Sequence, residues 1–394
     1  MNKQELINNL EKIKLIIGNG FDLYCGMETK YSDFFKNNIA KIDFDNWVND
    51  FSFSTVRNYV NFKNDISNRK ELWININDFE SISSWDLLFY FASKEDSTSG
   101  EWNWCDVEAK MVEWLNPIDS GNSKNTKFNF EYVFRILNNE IHPNNLDIAN
   151  YYLAAFIYKK NGEKTFSTLN DFCFFLLSEL NKFEKKFGDY IFKLQIDNSS
   201  FGSNHLNKNF NASKEVEILE KLGNFNAFSS VDSFNFSDVY YGDINKKIYV
   251  NHINGDCSNP IFGIDSKDIL PNDPRYIFTK TYRRMNLDSR QVGVFKYETF
   301  SNVIIFGSSL GKADYNYFFS ILDKLNINDF SNDSKVVFAF HIYDKQKEDE
   351  IRIIMLKAVF DLFYEYSIYK GNNIQPNRLL DSLTAQRKVL FYEI

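Results

Sequence analysis

The fold class is decided by one stretch near the start of the chain, Ile13-Lys14-Leu15-Ile16-Ile17-Gly18-Asn19-Gly20-Phe21-Asp22-Leu23. It begins as a short apolar run and ends at glycines, which is typical of a buried parallel strand that enters a tight turn. Glycines permit close backbone approach at such a turn, and the start of the following helix favours an anion. The stretch therefore predicts a phosphate-binding loop at Gly18, Asn19 and Gly20. The alternative is a plain tight turn in which Asp22 caps the helix.

Apolar runs of the same kind return in series in the second half of the chain. We predict a helix at 314–325 and strands at 229–236, 247–250, 261–264, 302–306 and 335–340. Short apolar strands that are linked by helices indicate an α/β fold with a doubly wound, mostly parallel, Rossmann-like sheet. The first strand then belongs to the same sheet as strands that come much later in the chain.

A large helical insertion is predicted between the first strand and the others. The intervening sequence is rich in aromatic residues, and Leu169 to Leu194 carries apolar residues at three- and four-residue steps, as one face of a helix does. We therefore predict an α/β core at 1–30 and 228–345, a helical insertion at 31–227, and a C-terminal extension of the core by helix and strand at 346–394.

Composition excludes several classes of protein. The 394 residues include 45 Lys and Arg against 53 Asp and Glu, a net charge of −8, which makes nucleic acid an unlikely main partner. We expect a cytoplasmic protein with no membrane partner, because the sequence has neither a signal-peptide core nor an apolar run long enough to span a bilayer. The four cysteines and four histidines are dispersed, so neither a disulfide framework nor a metal site is predicted.

Polar residues that follow the predicted strands are the candidate ligand-binding residues, because ligands of such sheets bind outside the carboxyl ends of the strands. Ser308 and Ser309 can hydrogen-bond a phosphate or a ribose, and Asp314 either joins them or caps the next helix. Asn235 can fix a carboxamide or a water molecule, since its amide has both donors and an acceptor.

A second group of polar residues lies in the segment 250–256. His252 and Asn254 face the same side if the strand continues through them, because side chains two residues apart share a face of a strand. The alternative for His252 is a structural histidine with satisfied hydrogen bonds, which is the commoner role of a single histidine.

Six segments, taken in order, carry a family resemblance. They are 18–23, 31–34, 104–108, 234–237, 260–265 and 305–314. The array resembles the bacteriophage abortive infection AbiH family over residues 13 to about 345, with helical segments that match poorly in between. The resemblance implies a role in anti-phage defence, in which the infected bacterial cell stops growth before the phage is released.

More distantly, the order of the glycine turn, the Asn motif, the His-Gly motif and the Gly-Ser-Leu motif is similar to sirtuin-type NAD-binding folds. That resemblance implies a nucleotide ligand, NAD, with Gly18, Gly20, Ser308 and Ser309 at its phosphate or ribose. It also implies that Asn235 orients the carboxamide or a water molecule while the nicotinamide–ribose bond is cleaved.

The sequence departs from the sirtuin-type pattern at Asn254, which stands where a histidine is expected. Cleavage of the bond builds positive charge on the ribose, and a general base normally assists. Asn254 cannot take a proton. His252 replaces the missing histidine if it lies on the same face, and otherwise the base is Asp22 or Glu108, or there is no such chemistry.

Asp106 and Glu108 form a further candidate site. Two carboxylates at this spacing can hold a divalent metal ion, and Glu108-Ala109-Lys110 is superficially similar to a restriction-nuclease motif. That motif requires a strand, whereas this segment has the pattern of a helix. A helix with acidic residues in its first turn is the alternative that we favour.

These observations lead to three hypotheses for function. The first is an abortive-infection effector, triggered by a phage protein, that hydrolyses NAD⁺ as a glycohydrolase does. The second is a module that senses a nucleotide or binds a phage protein without turnover. The third and least favoured is a metal-dependent nuclease. A homo-oligomer fits each of them.

Overall fold

The computed structural model describes residues 7, 9–39, 44, 66, 79–96, 107–116, 128–141, 148–199, 212–238, 250–267, 269–286, 299–329, 331–371 and 375–394. The chain divides into two compact units. The first consists of Met1–Thr29, Gly188–Ile261 and Arg284–Ile394, and the second of Lys30–Phe187 and Phe262–Arg283.

The first unit contains a parallel sheet of six strands. They are β1 (Ile13–Ile17), β2 (Phe228–Ser233), β3 (Val250–His252), β4 (Asn302–Phe306), β5 (Lys335–Phe340) and β6 (Val389–Glu393). Their order across the sheet is β3-β2-β1-β4-β5-β6, with every neighbouring pair parallel. The predicted α/β class with a parallel, Rossmann-like sheet is confirmed. The strand order reverses between β1 and β4, which is the point at which such sheets bind ligands.

Both units contain α-helices. Those formed by the described residues are, in chain order, α1 (Asn19–Tyr24), α2 (Tyr31–Phe34), α3 (Ser84–Asp96), α4 (Val107–Leu115), α5 (Phe130–Leu137), α6 (Ile148–Lys160), α7 (Leu169–Ser199), α8 (Ala212–Leu222), α9 (Lys280–Met285), α10 (Tyr315–Lys324), α11 (Glu348–Tyr369) and α12 (Asn377–Ala385). The helix predicted at 314–325 is confirmed as α10. No helix among the residues described above combines the length and the apolarity that crossing a bilayer requires.

Both faces of the sheet are covered by helices, as a doubly wound fold requires. On one face, Leu15 and Ile17 of β1 belong to an apolar cluster that includes residues of α1 and α8. On the other face, Ile16 belongs to a cluster with residues of α10, α11 and α12. Successive residues of β1 thus contribute to opposite faces, and both faces are apolar because both are buried.

The second unit has an aromatic core. Phe34, Phe35 and Phe89 are fully buried, and their rings contact the ring of Phe183 on α7. The helix predicted from Leu169 to Leu194 is confirmed, and its apolar stripe is buried as expected for a core-facing helix. Aromatic packing therefore explains the abundance of phenylalanine in this part of the chain.

The strand predicted at 261–264 is wrong. The segment is buried, and its one β-type pairing among the residues that the structure describes is an isolated bridge between Ile264 and Thr279. In the second unit its backbone N–H groups donate to carboxylates, Phe262 to Glu184 at 2.8 Å and Gly263 to a second acidic side chain at 3.3 Å. Here carboxylates, and not a neighbouring strand, accept hydrogen bonds from the buried backbone N–H groups. An apolar run can therefore be buried without being part of a sheet.

A close approach between the turns that follow β1 and β4 holds the centre of the sheet together. A Cβ atom at position 20 would lie 2.6 Å from the Cα atom of Gly307, and one at position 18 would lie 2.6 Å from the Cα atom of Ser308. The N–H of Gly20 donates to the carbonyl of Gly307 at 2.8 Å. Gly307 itself has a φ of +69°, in the left-handed region. The glycines are therefore required for packing between the two turns.

A buried ion pair crosses from β1 to β2. The ammonium of Lys14 lies 2.8 Å from Asp232 and donates to Ser230 at 3.1 Å, and all three residues are almost fully buried. Asp232 also accepts hydrogen bonds from Asn251, at 3.3 Å, and from the hydroxyl of Tyr317 on α10. The pair is well satisfied by hydrogen bonds, and removal of one partner leaves a buried charge.

We expect Gly20→Ala to destabilise the protein by on the order of 1 to 3 kcal/mol, because the new methyl group overlaps the backbone at Gly307. The matched control is Gly311→Ala. The nearest atom to a Cβ there is the Ser309 hydroxyl oxygen at 3.9 Å, so this change stays within about 0.5 kcal/mol of the wild type. Urea unfolding measures both, and equal stabilities for the two variants would contradict the packing role of Gly20.

We expect Lys14→Met to cost about 3 to 5 kcal/mol of unfolding free energy, because Asp232 is left buried without its ammonium partner. Adding Asp232→Asn removes the orphaned charge, and the double variant should recover a large part of the loss. Urea denaturation of Lys14→Met, of Asp232→Asn and of the double variant, each compared with the wild type, completes the double-mutant cycle. A Lys14→Met protein as stable as the wild type would show that the pair has no such role.

Candidate functional site

The turn after β1 uses its own N–H groups for backbone hydrogen bonds. Gly18 donates to the carbonyl of Phe306 at 3.0 Å, Gly20 to that of Gly307 at 2.8 Å, and Phe21 to that of Gly18 at 2.8 Å. Asn19 accepts a hydrogen bond from the Thr29 hydroxyl at 2.5 Å. The predicted loop residues thus lie together at the end of β1, and the N–H groups of Gly18 and Gly20 and the amide oxygen of Asn19 already have partners.

The turn after β4 contains the two predicted serines, which differ in their surroundings. The hydroxyl oxygen of Ser308 accepts a hydrogen bond from the N–H of Leu310 at 3.2 Å, while Ser309 is exposed. Leu310 is buried and has a φ of +52°, a conformation that costs free energy for a residue other than glycine. Strain held in place by burial fixes the shape of this loop at the point where the strand order reverses.

A buried carboxyl group links the ends of β1 and β2. Asp22 accepts a hydrogen bond from the side-chain amide of Asn235 at 2.8 Å and one from the hydroxyl of Ser237 at 2.7 Å. Burial raises the pKa of Asp22 to about 6, and hydrogen bonds from Ser237, Thr29 and Asn235 only partly offset the loss of solvation. Asp22 does not cap α1, because its carboxylate is engaged with the segment that follows β2.

His252 joins this cluster from the end of β3. Its Nδ1 lies 3.0 Å from the carbonyl oxygen of Asn235, so Nδ1 carries the proton, and its Nε2 lies 3.5 Å from the carboxylate of Asp238. Burial alone lowers the pKa of His252, but the hydrogen bonds to Asp238 and to the Asn235 carbonyl outweigh it and raise the pKa above its ordinary value. The imidazole remains 12% exposed, so one side of it reaches solvent.

Asp22, Asn235 and His252 form one connected group. The side chain of Asn235 donates to the carboxylate and its backbone carbonyl accepts from the imidazole. The pKa of Asp22 is raised to about 6 and that of His252 above its ordinary value, and two such groups at one edge of the sheet suit general acid–base chemistry. The three residues were each predicted as site residues, and the structure brings them together.

Asn254 belongs to a second group. β3 ends at His252, and a turn with Gly255 at a φ of +79° follows, so His252 and Asn254 do not share a strand face. The amide oxygen of Asn254 accepts a hydrogen bond from Nη2 of Arg284 at 2.7 Å, and the same nitrogen lies 2.8 Å from the carboxylate of Asp314. Asp314 stands at the N-terminus of α10 without a side-chain capping hydrogen bond.

Glu108 lies in the second unit, on the helix α4, as predicted for that segment. One of its oxygens accepts from the N–H of Gly263 at 3.3 Å, and the other lies 2.8 Å from the ammonium of Lys280. Asp106 lies outside the described residues. Within the parts of the chain that the structure describes, no three acidic, histidine or cysteine side chains form a group that could hold a metal ion.

Several residues of the site were not singled out from the sequence. They are Thr29, Ser237, Asp238 and Arg284. The signal for Ser237 was present, because Ser233, Asn235 and Ser237 alternate with aromatic or acidic residues after the apolar part of β2. The signal for Arg284 was absent, since its partners lie 30 residues away on either side.

The raised pKa of Asp22 predicts a specific dependence of stability on pH. The unfolded chain loses this proton near pH 3.8 and the folded protein near pH 6. The free energy of unfolding therefore decreases as the pH rises from 3.8 to 6, by on the order of 3 kcal/mol in total. Asp22→Asn cannot ionise and should lack this decline. Urea unfolding at pH 4 and pH 7 measures it, with the exposed residue change Asp381→Asn as the control. If the free energies of unfolding of the wild type and of Asp22→Asn differ by the same amount at pH 4 and at pH 7, the raised pKa of Asp22 is contradicted.

Comparison with known proteins identifies the family. The family model described as bacteriophage abortive infection AbiH matches residues 15–333, which include each candidate residue from Gly18 to Asp314. No curated protein and no solved structure matches the chain. Because the match covers most of its length, the chain belongs to the bacteriophage abortive infection AbiH family, and this membership supports a role in anti-phage defence.

Proposed function

We propose that this AbiH-family protein binds a nucleotide of the NAD type at the carboxyl edge of β1 to β4 and hydrolyses it during abortive infection. The observation that carries the proposal is the strand order β3-β2-β1-β4-β5-β6, with a connected group of polar residues after β1, β2 and β3. In parallel sheets of this order, ligands bind where the order reverses. A phage protein is the proposed trigger.

The proposed reaction is the hydrolysis of the bond between the nicotinamide nitrogen and C1′ of the ribose. Nicotinamide leaves with the bonding electron pair, water adds to C1′, and a base takes a proton from that water. We assign the base to His252, whose pKa is raised and which is partly exposed. Asn235 positions the water or the carboxamide, and ionised Asp22 stabilises positive charge that develops on the ribose.

The second candidate is a nucleotide sensor without turnover. Asn254, which stands where the sirtuin-type pattern has a histidine, cannot act as a base, and its amide oxygen is held by Arg284. This observation favours binding without cleavage if His252 does not supply the base. The nuclease alternative is weaker, because Glu108 is engaged with Lys280 and with the backbone of Gly263.

We expect the purified protein, with its trigger where one is required, to release nicotinamide from NAD⁺. His252→Ala and Asn235→Ala should each lower the rate by about 100-fold or more, because a general base and the residue that positions its water are lost. The matched control is His341→Ala, which removes the exposed histidine that follows β5 and should leave the rate unchanged. Chromatography of nicotinamide measures the rate.

The same variants test the role in cells. Infection of cells that carry the wild-type protein should lower NAD⁺, and Asn235→Ala should prevent both the loss of NAD⁺ and the defence. Tight binding of NAD⁺ by calorimetry with no nicotinamide released would favour the sensor instead. Defence that proceeds with NAD⁺ unchanged and no nucleotide bound would overturn both proposals.

A further inference from the structure

Arg284 is held at the carboxyl edge of the sheet by three hydrogen bonds. Its Nε donates to the carbonyl of Ile253 at 3.2 Å, and its Nη2 lies within 2.8 Å of both the amide oxygen of Asn254 and the carboxylate of Asp314. The side chain is 20% exposed. These contacts fix the plane of the guanidinium and one of its edges. No described residue accepts a hydrogen bond from its other terminal nitrogen, Nη1.

Arg284 contacts two loops that follow different strands of the sheet. Its partners follow β3 and β4, which are separated in the sheet by β2 and β1, or three interstrand spacings, about 14 Å. Contact with both loops therefore means that the two loops approach each other closely enough for one arginine side chain to bridge them. The apolar residues agree, because Ile253 and Leu310 belong to the same buried cluster. Arg284 thus connects the loop after β3 with the loop after β4, and the second of these borders the place where the strand order reverses.

A phosphate bound at this edge needs donors that the glycine turn does not provide. The N–H groups of Gly18, Gly20 and Phe21 donate to backbone carbonyls, and the carboxyl group of Asp22 in the same turn is acidic. With these three N–H groups engaged, the turn lacks most of the backbone donors that form the usual anion site of a dinucleotide-binding fold. The positive charge for a phosphate must come from a side chain.

We propose that Arg284 binds a phosphate group of the nucleotide through Nη1, a role that rests on the proposed function. The ligand class is a phosphate or diphosphate ester of a ribonucleoside. A charged guanidinium donates strong hydrogen bonds to phosphate, and the plane of Arg284 is already fixed by Asn254 and Asp314, so Nη1 is the nitrogen that can donate to a ligand. Asp314 holds the guanidinium through Nη2 at 2.8 Å, so this ion pair does not use Nη1.

Calorimetric titration with ADP-ribose and with adenosine tests this role. Arg284→Gln should weaken the binding of ADP-ribose by about 10-fold or more and leave the binding of adenosine within about twofold, because only ADP-ribose carries phosphate. Arg284→Lys should give an intermediate loss, since an ammonium keeps the charge but not the planar donors. The matched control is Arg378→Gln, which removes an exposed arginine on α12 and should change neither affinity.

Competition on the wild-type protein gives a test that requires no variant to fold. Inorganic pyrophosphate should displace ADP-ribose and should not displace adenosine, because it occupies only the phosphate subsite. Failure of pyrophosphate to compete with ADP-ribose would overturn the assignment of a phosphate subsite.

The outcomes separate this inference from the proposed function. If Arg284→Gln binds ADP-ribose as the wild type does, the inference fails and the proposed function stands. If Arg284→Gln loses ADP-ribose and adenosine equally, Arg284 is a structural clamp between the loops and the inference also fails. If the wild-type protein binds neither ligand, the proposed function fails and the inference fails with it.

Discussion

The close backbone approach between the turn after β1 and the turn after β4 is the constraint on which the first unit depends. A side chain at position 20 would overlap the backbone of Gly307, and Gly307 adopts a conformation that favours glycine. This contact keeps β1 beside β4, where the strand order reverses. The polar residues that extend from β2 and β3 are positioned relative to the same contact, because their strands continue the sheet from β1.

That contact has a chemical consequence. The N–H groups of Gly18, Gly20 and Phe21 donate within the protein, so close packing takes three donors that a phosphate loop would otherwise offer to a ligand. The polar side chains available at this edge come instead from the segments after β2, β3 and β4. Asp22 is the exception within the turn, and its carboxyl group is buried and points to Asn235 and Ser237. The chemistry that we propose therefore depends on side chains, while the turn supplies geometry.

Prediction from sequence succeeded where an apolar run and its ending had a single physical explanation. β1, β4 and β5 are short, fully apolar on both faces or nearly so, and bounded by polar or glycine residues. It failed at 261–264, because an extended segment capped by carboxylates and a strand in a sheet have the same apolar pattern. The partners of Asp22 and Arg284 could not be predicted, since the contacts of Asp22 with Asn235 and Ser237 span more than two hundred residues and those of Arg284 depend on loop shapes.

The end of β3 at His252 decides how the missing histidine at position 254 can be replaced. A continuing strand would place both side chains on one face, but the turn at Gly255 directs Asn254 to Arg284 and leaves His252 with Asn235 and Asp238. Because the strand ends at His252, the imidazole does not lie on the same strand face as position 254, where the sirtuin-type pattern has its histidine. It approaches the edge beside Asp22, and the charge of each influences the other, since protonated His252 favours the ionised form of Asp22. Asn235 is the hydrogen-bonded link between the two titratable groups, through its side-chain amide to Asp22 and its backbone carbonyl to His252.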